Sequence, residues 1–164
     1  MKQTGVTLVE LMLVITIIAI VLAFGVPSMN YIVDSGRLTA NTNEFSGALN
    51  MARLEAVKRG RTIRISSVSG TTDWANGFRI WIDSDSDDTY DAGEEIRVFE
   101  AIDTGLTLTG TASSLSFRAS GFTNMATGNT FTFDMCTQNA SLTDREIEVN
   151  AAGRITVGDT GADC

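Results

Sequence analysis

One apolar stretch governs what this chain can become. Val6 to Val26 is a run of 21 residues whose one charged side chain is Glu10, near its start, and Pro27 follows directly. About 20 apolar helical residues cross the hydrocarbon core of a bilayer, so the run is long enough to span one. A carboxylate at that depth costs about 2.5–3.5 kcal/mol on insertion scales and marks a functional site by default. Glu10 is either a defect or a group that awaits a positive partner. A secretory signal peptide fits poorly. Lys2 is the one side-chain charge before Gly5, and Phe24-Gly25-Val26-Pro27 stands where a small-residue cleavage site would follow. A plain membrane anchor accounts for the apolar run and leaves Glu10 unexplained.

Gly5-Val6-Thr7-Leu8-Val9-Glu10 resembles the processing site of type IV pilins and type II secretion pseudopilins. The resemblance implies that a prepilin peptidase cuts after Gly5 and that Val6 becomes the N-methylated first residue. It implies that Glu10 forms an assembly salt bridge with the N-terminal amine of a neighbouring subunit. Most of the family begins the mature chain with Phe, where this chain has Val6. Pro27 lies where such helices are kinked. Chemistry agrees, because a helical proline removes one hydrogen bond and clashes with the preceding turn.

The expected organisation is a leader over 1–5, a membrane or filament-core helix half over 6–27, and one periplasmic domain over 28–164. The chain has 164 residues and net charge −8, and loss of Lys2 with the leader makes it more acidic still. Such a balance argues against a general nucleic-acid-binding surface. There is no histidine, which excludes the common zinc and Ser-His sites. The two cysteines, Cys136 and Cys164, are either free thiols or one disulfide. An oxidising compartment favours the bridge, which would close a loop of about 28 residues and contribute about 3–4 kcal/mol in the chain-entropy model.

From Ser28 to Arg59 the pattern is helical. Tyr31, Leu38, Phe45, Leu49, Ala52 and Ala56 fall at steps of seven, seven, four, three and four, one face of an amphipathic helix. Ser35-Gly36 is a weak point, and Gly60 is the expected stop. Beyond it the period becomes two. Eight alternating segments begin near Thr62, Phe78, Glu95, Leu106, Leu115, Phe131, Arg145 and Arg154 and are separated by Gly- and Asp-rich breaks. These predict short antiparallel strands in an α+β domain, with the sheets folded against the helix's apolar face. The polar loop Gly121 to Asn129 is expected to be mobile.

The second half extends the resemblance. Ala52-Arg53-Leu54-Glu55-Ala56-Val57-Lys58-Arg59-Gly60 looks like the helix end of the GspH/FimT group of minor pilins. Trp81-Ile82-Asp83 with Asp91-Ala92-Gly93-Glu94 looks like that group's central hairpin. Phe117, Gly121, Gly128-Asn129-Thr130-Phe131 and Gly153-Arg154 agree with its C-terminal half. The implied fold is type IV pilin-like.

Three further groupings carry chemistry. Asp83, Asp85, Asp87, Asp91 and Glu94 take offsets 1, 3, 5, 9 and 12, as in an EF-hand calcium loop. However, Asp88 stands where the sharp turn needs Gly, and the flanks read as strands, so a solvated acidic hairpin tip is favoured. Lys58, Arg59, Arg61 and Arg64 form a basic cluster that could meet DNA, lipid or an acidic neighbour; a helix end followed by ordinary surface charge is favoured. FimT proteins that bind DNA carry a Gly-Arg-x-Arg turn, and here Gly153-Arg154-Ile155-Thr156 lacks the second Arg. Phosphate affinity scales with the cations engaged, so Arg154 alone predicts weak binding.

No catalytic arrangement and no cofactor is expected, calcium aside. The reading is a minor type IV pilin of the FimU/FimT kind, cleaved by prepilin peptidase and held in the inner membrane before it joins the filament tip. Its partners would be other minor and major pilins, and it would support adhesion, twitching or DNA uptake. A GspH-like minor pseudopilin of a type II secretion system is the second reading, and a DNA-binding receptor for transformation the third.

Overall fold

The computed structural model describes residues 5, 7–85, 87 and 89–160, and the backbone alone over 25–28. Its first element is α1 (Leu8–Arg59), 52 residues long. Thr7 caps it in an extended conformation, and its Oγ1 accepts the Glu10 N–H at 3.3 Å. That bond satisfies one of the donors every helix start leaves open. The helical assignment is continuous through Pro27 and through Ser35-Gly36. A mid-helix glycine costs about 0.5–1 kcal/mol, too little to break a helix this long and this well packed downstream. α1 stops at Gly60, whose φ of 63° is left-handed and whose N–H bonds back to Ala56 O.

The helix has two halves with different surroundings. From Leu8 to Phe24 every described side chain is exposed. Farther along, Leu38, Phe45, Ala48, Leu49, Ala52 and Ala56 are buried. Tyr31, expected on that apolar face, is 47% exposed. The seven-residue spacing continues past the point where the sheets end, so it overcounts the core by one residue.

All eight predicted strands form. β1 (Ile63–Ser67), β2 (Phe78–Trp81), β3 (Glu95–Phe99) and β5 (Ser114–Phe117) make one sheet, in the order β3-β2-β1-β5. β4 (Leu106–Gly110), β6 (Thr130–Thr137), β7 (Arg145–Asn150) and β8 (Ile155–Asp159) make the second, in the order β4-β6-β7-β8. Every pairing is antiparallel. The sheets exchange strands in sequence: β1 pairs β5 across three intervening strands, and β4 skips β5 to pair β6.

Phe45 joins the two sheets to the helix. Its ring lies edge-on to Phe78 of the first sheet at 5.0 Å and to Phe133 of the second at 4.8 Å. Trp74, fully buried, closes the group at 5.7 Å from Phe45, and its Nε1–H donates to Ala112 O at 2.9 Å. Edge-to-face aromatic contacts of this kind add about 0.5–1.5 kcal/mol each beyond burial. Loop 121–129 is tied down rather than free along its length. Thr123 is buried, bridges to Phe117 and donates its N–H to Ala151 O at 3.0 Å.

Candidate functional site

Glu10 occupies the third position of α1, three residues after the Thr7 cap, which is the spacing of a capping box. Its carboxylate therefore sits in the first helical turn, where the helix dipole favours negative charge. The dipole offsets part of the cost of an acidic group at membrane depth and leaves the carboxylate outward for a partner; it is exposed. Among the described residues nothing restricts Gly5: a Cβ there would meet no atom within 4 Å, and its φ is not left-handed. Val6 lies outside the described residues, and Pro27 lies inside α1. The start of α1 is strongly apolar and none of it is buried within the fold. Length and composition thus suffice for a membrane span.

The far end of α1 holds the second group. Arg53 reaches across to two loops, its Nε–H donating to Gly121 O at 3.0 Å and its Nη2–H to Ala152 O at 3.1 Å. This clamp positions the β7–β8 hairpin that carries Gly153-Arg154. Gly153 has a φ of +74°, and a Cβ on it would stand 2.1 Å from Gly121 O. Glycine is needed there for both conformation and space. Arg154 projects from the hairpin, exposed. Thr156, where the related turn carries its second Arg, lies opposite Glu148 in the β7–β8 register. Glu146 and Glu148 of β7 and Asp134 of β6 give that sheet face an acidic character. Burial, then Glu148, then Asp134 raise the Glu146 carboxyl above its ordinary value.

The acidic loop after β2 splits its expected ligand set. Carboxylate oxygens of Asp83, Asp85 and Asp87 lie within 4.8 Å of one another. Glu94 is turned to the backbone instead: Oε1 accepts the Ser84 N–H at 2.6 Å and Oε2 the Asp91 N–H at 3.1 Å. Asp91 contributes that N–H and lies outside the close group of three oxygens. A hairpin this tight has backbone donors to satisfy, and the buried Glu94 is the acceptor within reach. Partial desolvation and the Asp87 charge raise the Asp85 carboxyl.

The basic cluster also divides. Lys58 and Arg59 both turn to Glu55, at 3.7 and 2.6 Å, and those contacts lower the Glu55 carboxyl, the Arg59 hydrogen bond first. Arg64 pairs with Asp83 at 3.5 Å and lies over the Trp81 ring at 5.4 Å. Arg61 lines an open concavity with Arg64, Asp83 and Arg118. Arg118, distant in sequence, was invisible as a member of the cluster until β1 and β5 paired. Cys136 is disulfide-bonded, no free cysteine is present among the described residues, and Cys164 lies outside them.

Two family models match this chain. One, the Type II transport protein GspH, covers residues 41–153; the other, the prokaryotic N-terminal methylation motif, covers residues 1–26. The chain is 29% identical over 97 residues to the pilin-like protein PilA1 of Thermus thermophilus and spans 58% of that relative's length. Crystal structures of the Pseudomonas aeruginosa type IV minor pilin FimU superpose with TM-scores of 0.65 and 0.61, at 23% and 24% identity. They cover 77% and 73% of this chain and 92% and 91% of the FimU chains. The minor pseudopilin EpsH of Vibrio cholerae superposes with a TM-score of 0.55 at 12% identity, over 77% of this chain and 99% of EpsH. These superpositions show a shared fold: one long N-terminal helix laid against two antiparallel sheets. With the GspH model spanning most of the domain and the methylation motif spanning the apolar start, the chain belongs to the GspH family of minor type IV pilins and pseudopilins.

Proposed function

We propose that this protein is a non-catalytic filament subunit, a minor type IV pilin of the FimU/FimT kind. It is cleaved by prepilin peptidase after Gly5, N-methylated on Val6, and assembled at or near the pilus tip. The observation that carries the reading is the division of α1. Among the described side chains its first half is apolar and exposed, while one face of its second half is buried under the sheets. An apolar surface of that length is tolerated only in a bilayer or against neighbouring helices. A subunit that moves from inner membrane to filament core uses both environments in turn. Glu10, in the first turn of that exposed half, is the group that would hold a neighbour's N-terminal amine. The Cys136 disulfide is assigned to Cys164, the other cysteine of the chain.

Glu10→Ala tests the assignment. The variant is expected to be processed normally and to enter filaments poorly, read by immunoblot of membrane and sheared-filament fractions. Unchanged incorporation would overturn the assembly role. The GspH family match supports the second reading, a minor pseudopilin of a type II secretion system. Co-purification after crosslinking in membranes separates the two, since the captured neighbours are pilins in one case and pseudopilins in the other. DNA reception is disfavoured, because Glu148 faces Thr156 beside the single Arg154. In a low-salt gel shift the soluble body is expected to bind duplex DNA weakly; tight binding lost in Arg154→Ala would reverse that preference.

A further inference from the structure

The concavity at the far end of α1 is a built cationic pocket. It has a volume of about 570 Å³ and is lined by Gly60, Arg61, Thr62, Arg64, Asp83, Arg118 and Ala119. Its three guanidinium groups come from three separate places: the turn after α1, strand β1, and the residue following β5. The β1–β5 pairing brings them together, with Ile63 opposite Phe117 one residue before each of Arg64 and Arg118. Three cations face one carboxylate, Asp83.

Each cation is held differently. Arg64 is fixed, its side chain 19% exposed, between the Trp81 ring and Asp83. Arg118 is set by a turn in which its N–H donates to Phe122 O and its carbonyl accepts the Gly121 N–H, both at 2.8 Å. Arg53 holds that turn in place from α1 through Gly121 O. Arg61 and Arg118 make no ion pair among the described residues and are exposed. The α1 C-terminus adds a partial negative charge of roughly half a unit, but Lys58 and Arg59 lie in that last turn to oppose it.

We propose that this pocket binds a carboxylate presented by an acidic segment of a partner protein. Guanidinium groups recognise carboxylates through paired, planar hydrogen bonds, and Arg64 already holds one carboxylate in the pocket, Asp83, as an ion pair at 3.5 Å. A nucleic acid suits the site less well. Asp83 lines it, carboxylate oxygens of Asp85 and Asp87 lie within 4.8 Å of Asp83 on the β2–β3 loop, and the chain carries net charge −8. A duplex bears one negative charge per about 1.7 Å and would run onto those carboxylates, whereas a single acidic side chain entering the concavity meets only Asp83, which Arg64 already pairs.

The test uses the full chain in uncharged detergent micelles, with fluorescently labelled hexaglutamate followed by anisotropy at low salt. Saturable binding is expected, weakened about 10-fold or more in R61A/R118A and only partly weakened in R61K/R118K, which keeps the charge and loses the fork. Both positions are exposed, and an unchanged melting temperature confirms that the variants fold. No saturable binding, or equal binding by wild type and R61A/R118A, overturns the proposal. So does tighter binding of inorganic phosphate or of an oligothymidylate with the same charge count, since either would make this a phosphate site. The readout does not involve Glu10 or filament incorporation, so its failure leaves the assembly role intact, and the reverse also holds.

Discussion

Gly153 and Arg53 form one structural joint with unequal parts. Gly153→Ala places a Cβ 2.1 Å from Gly121 O at a φ of +74°, so the hairpin or the 118–121 turn must move. Left-handed strain costs on the order of 1–3 kcal/mol before any clash is counted, and a drop of at least about 5 °C in melting temperature is expected. Arg53→Ala removes two hydrogen bonds to carbonyls and should cost less, about 1–3 kcal/mol. If Gly153→Ala melts like wild type, the joint is not what holds the hairpin. Glu146 offers a residue-scale test by pH. Its carboxyl is raised by burial and by Glu148 and Asp134, so the folded chain holds that proton more tightly than the unfolded chain. The resulting stabilisation is present below the ordinary carboxylate value of 4.5 and is lost as pH rises through the raised value. Glu146→Gln should therefore raise the melting temperature at pH 7, with the gain vanishing near pH 4. Equal melting of variant and wild type at pH 7 would refute the assigned repulsion.

At the scale of elements, α1 stabilises the body through one face of its second half. Phe45 touches both sheets, and truncating a buried phenylalanine costs about 3–5 kcal/mol. Leu54, on the same helix but 68% exposed, should change stability by less than about 0.5 kcal/mol when replaced by alanine. Denaturant unfolding of Phe45→Ala and Leu54→Ala checks the contrast, and comparable losses would mean the buried face is misassigned. The β2–β3 loop is stapled by Glu94, whose carboxylate accepts the Ser84 and Asp91 N–H groups. Millimolar calcium should leave the melting temperature unchanged, because a ligand that binds the native state must stabilise it. A clear upward shift would establish a metal site at Asp83, Asp85 and Asp87. Strand positions were legible because a half-buried strand shows its period of two within a few residues. The sheet order was not legible, because each alternating segment could pair with any other.

For the whole molecule, the core and the apolar segment are separate. Among the described residues no core side chain precedes Leu38. Removing residues 1–27 should yield a soluble body whose near-ultraviolet circular dichroism and melting temperature match those of the full chain in detergent. A body that loses its aromatic signal would show that the first half of α1 supports the fold. The chain by itself determined its elements and its long apolar segment. Apolar length, capping residues and period are local properties, and local chemistry is written in consecutive residues. It also carried the motif by which Gly5, Val6 and Glu10 were singled out. Only the tertiary structure placed Trp74, a loop residue, at the centre of the aromatic core, and only it drew Arg53 to Gly121 and Ala152. Helical spacing alone turns Lys58 and Arg59 to Glu55, whereas the pairing of β1 with β5 set Arg118 beside Arg61 and Arg64. Such arrangements depend on which strand lies next to which. That choice is made by the burial of all the faces together, and no single stretch of sequence contains it.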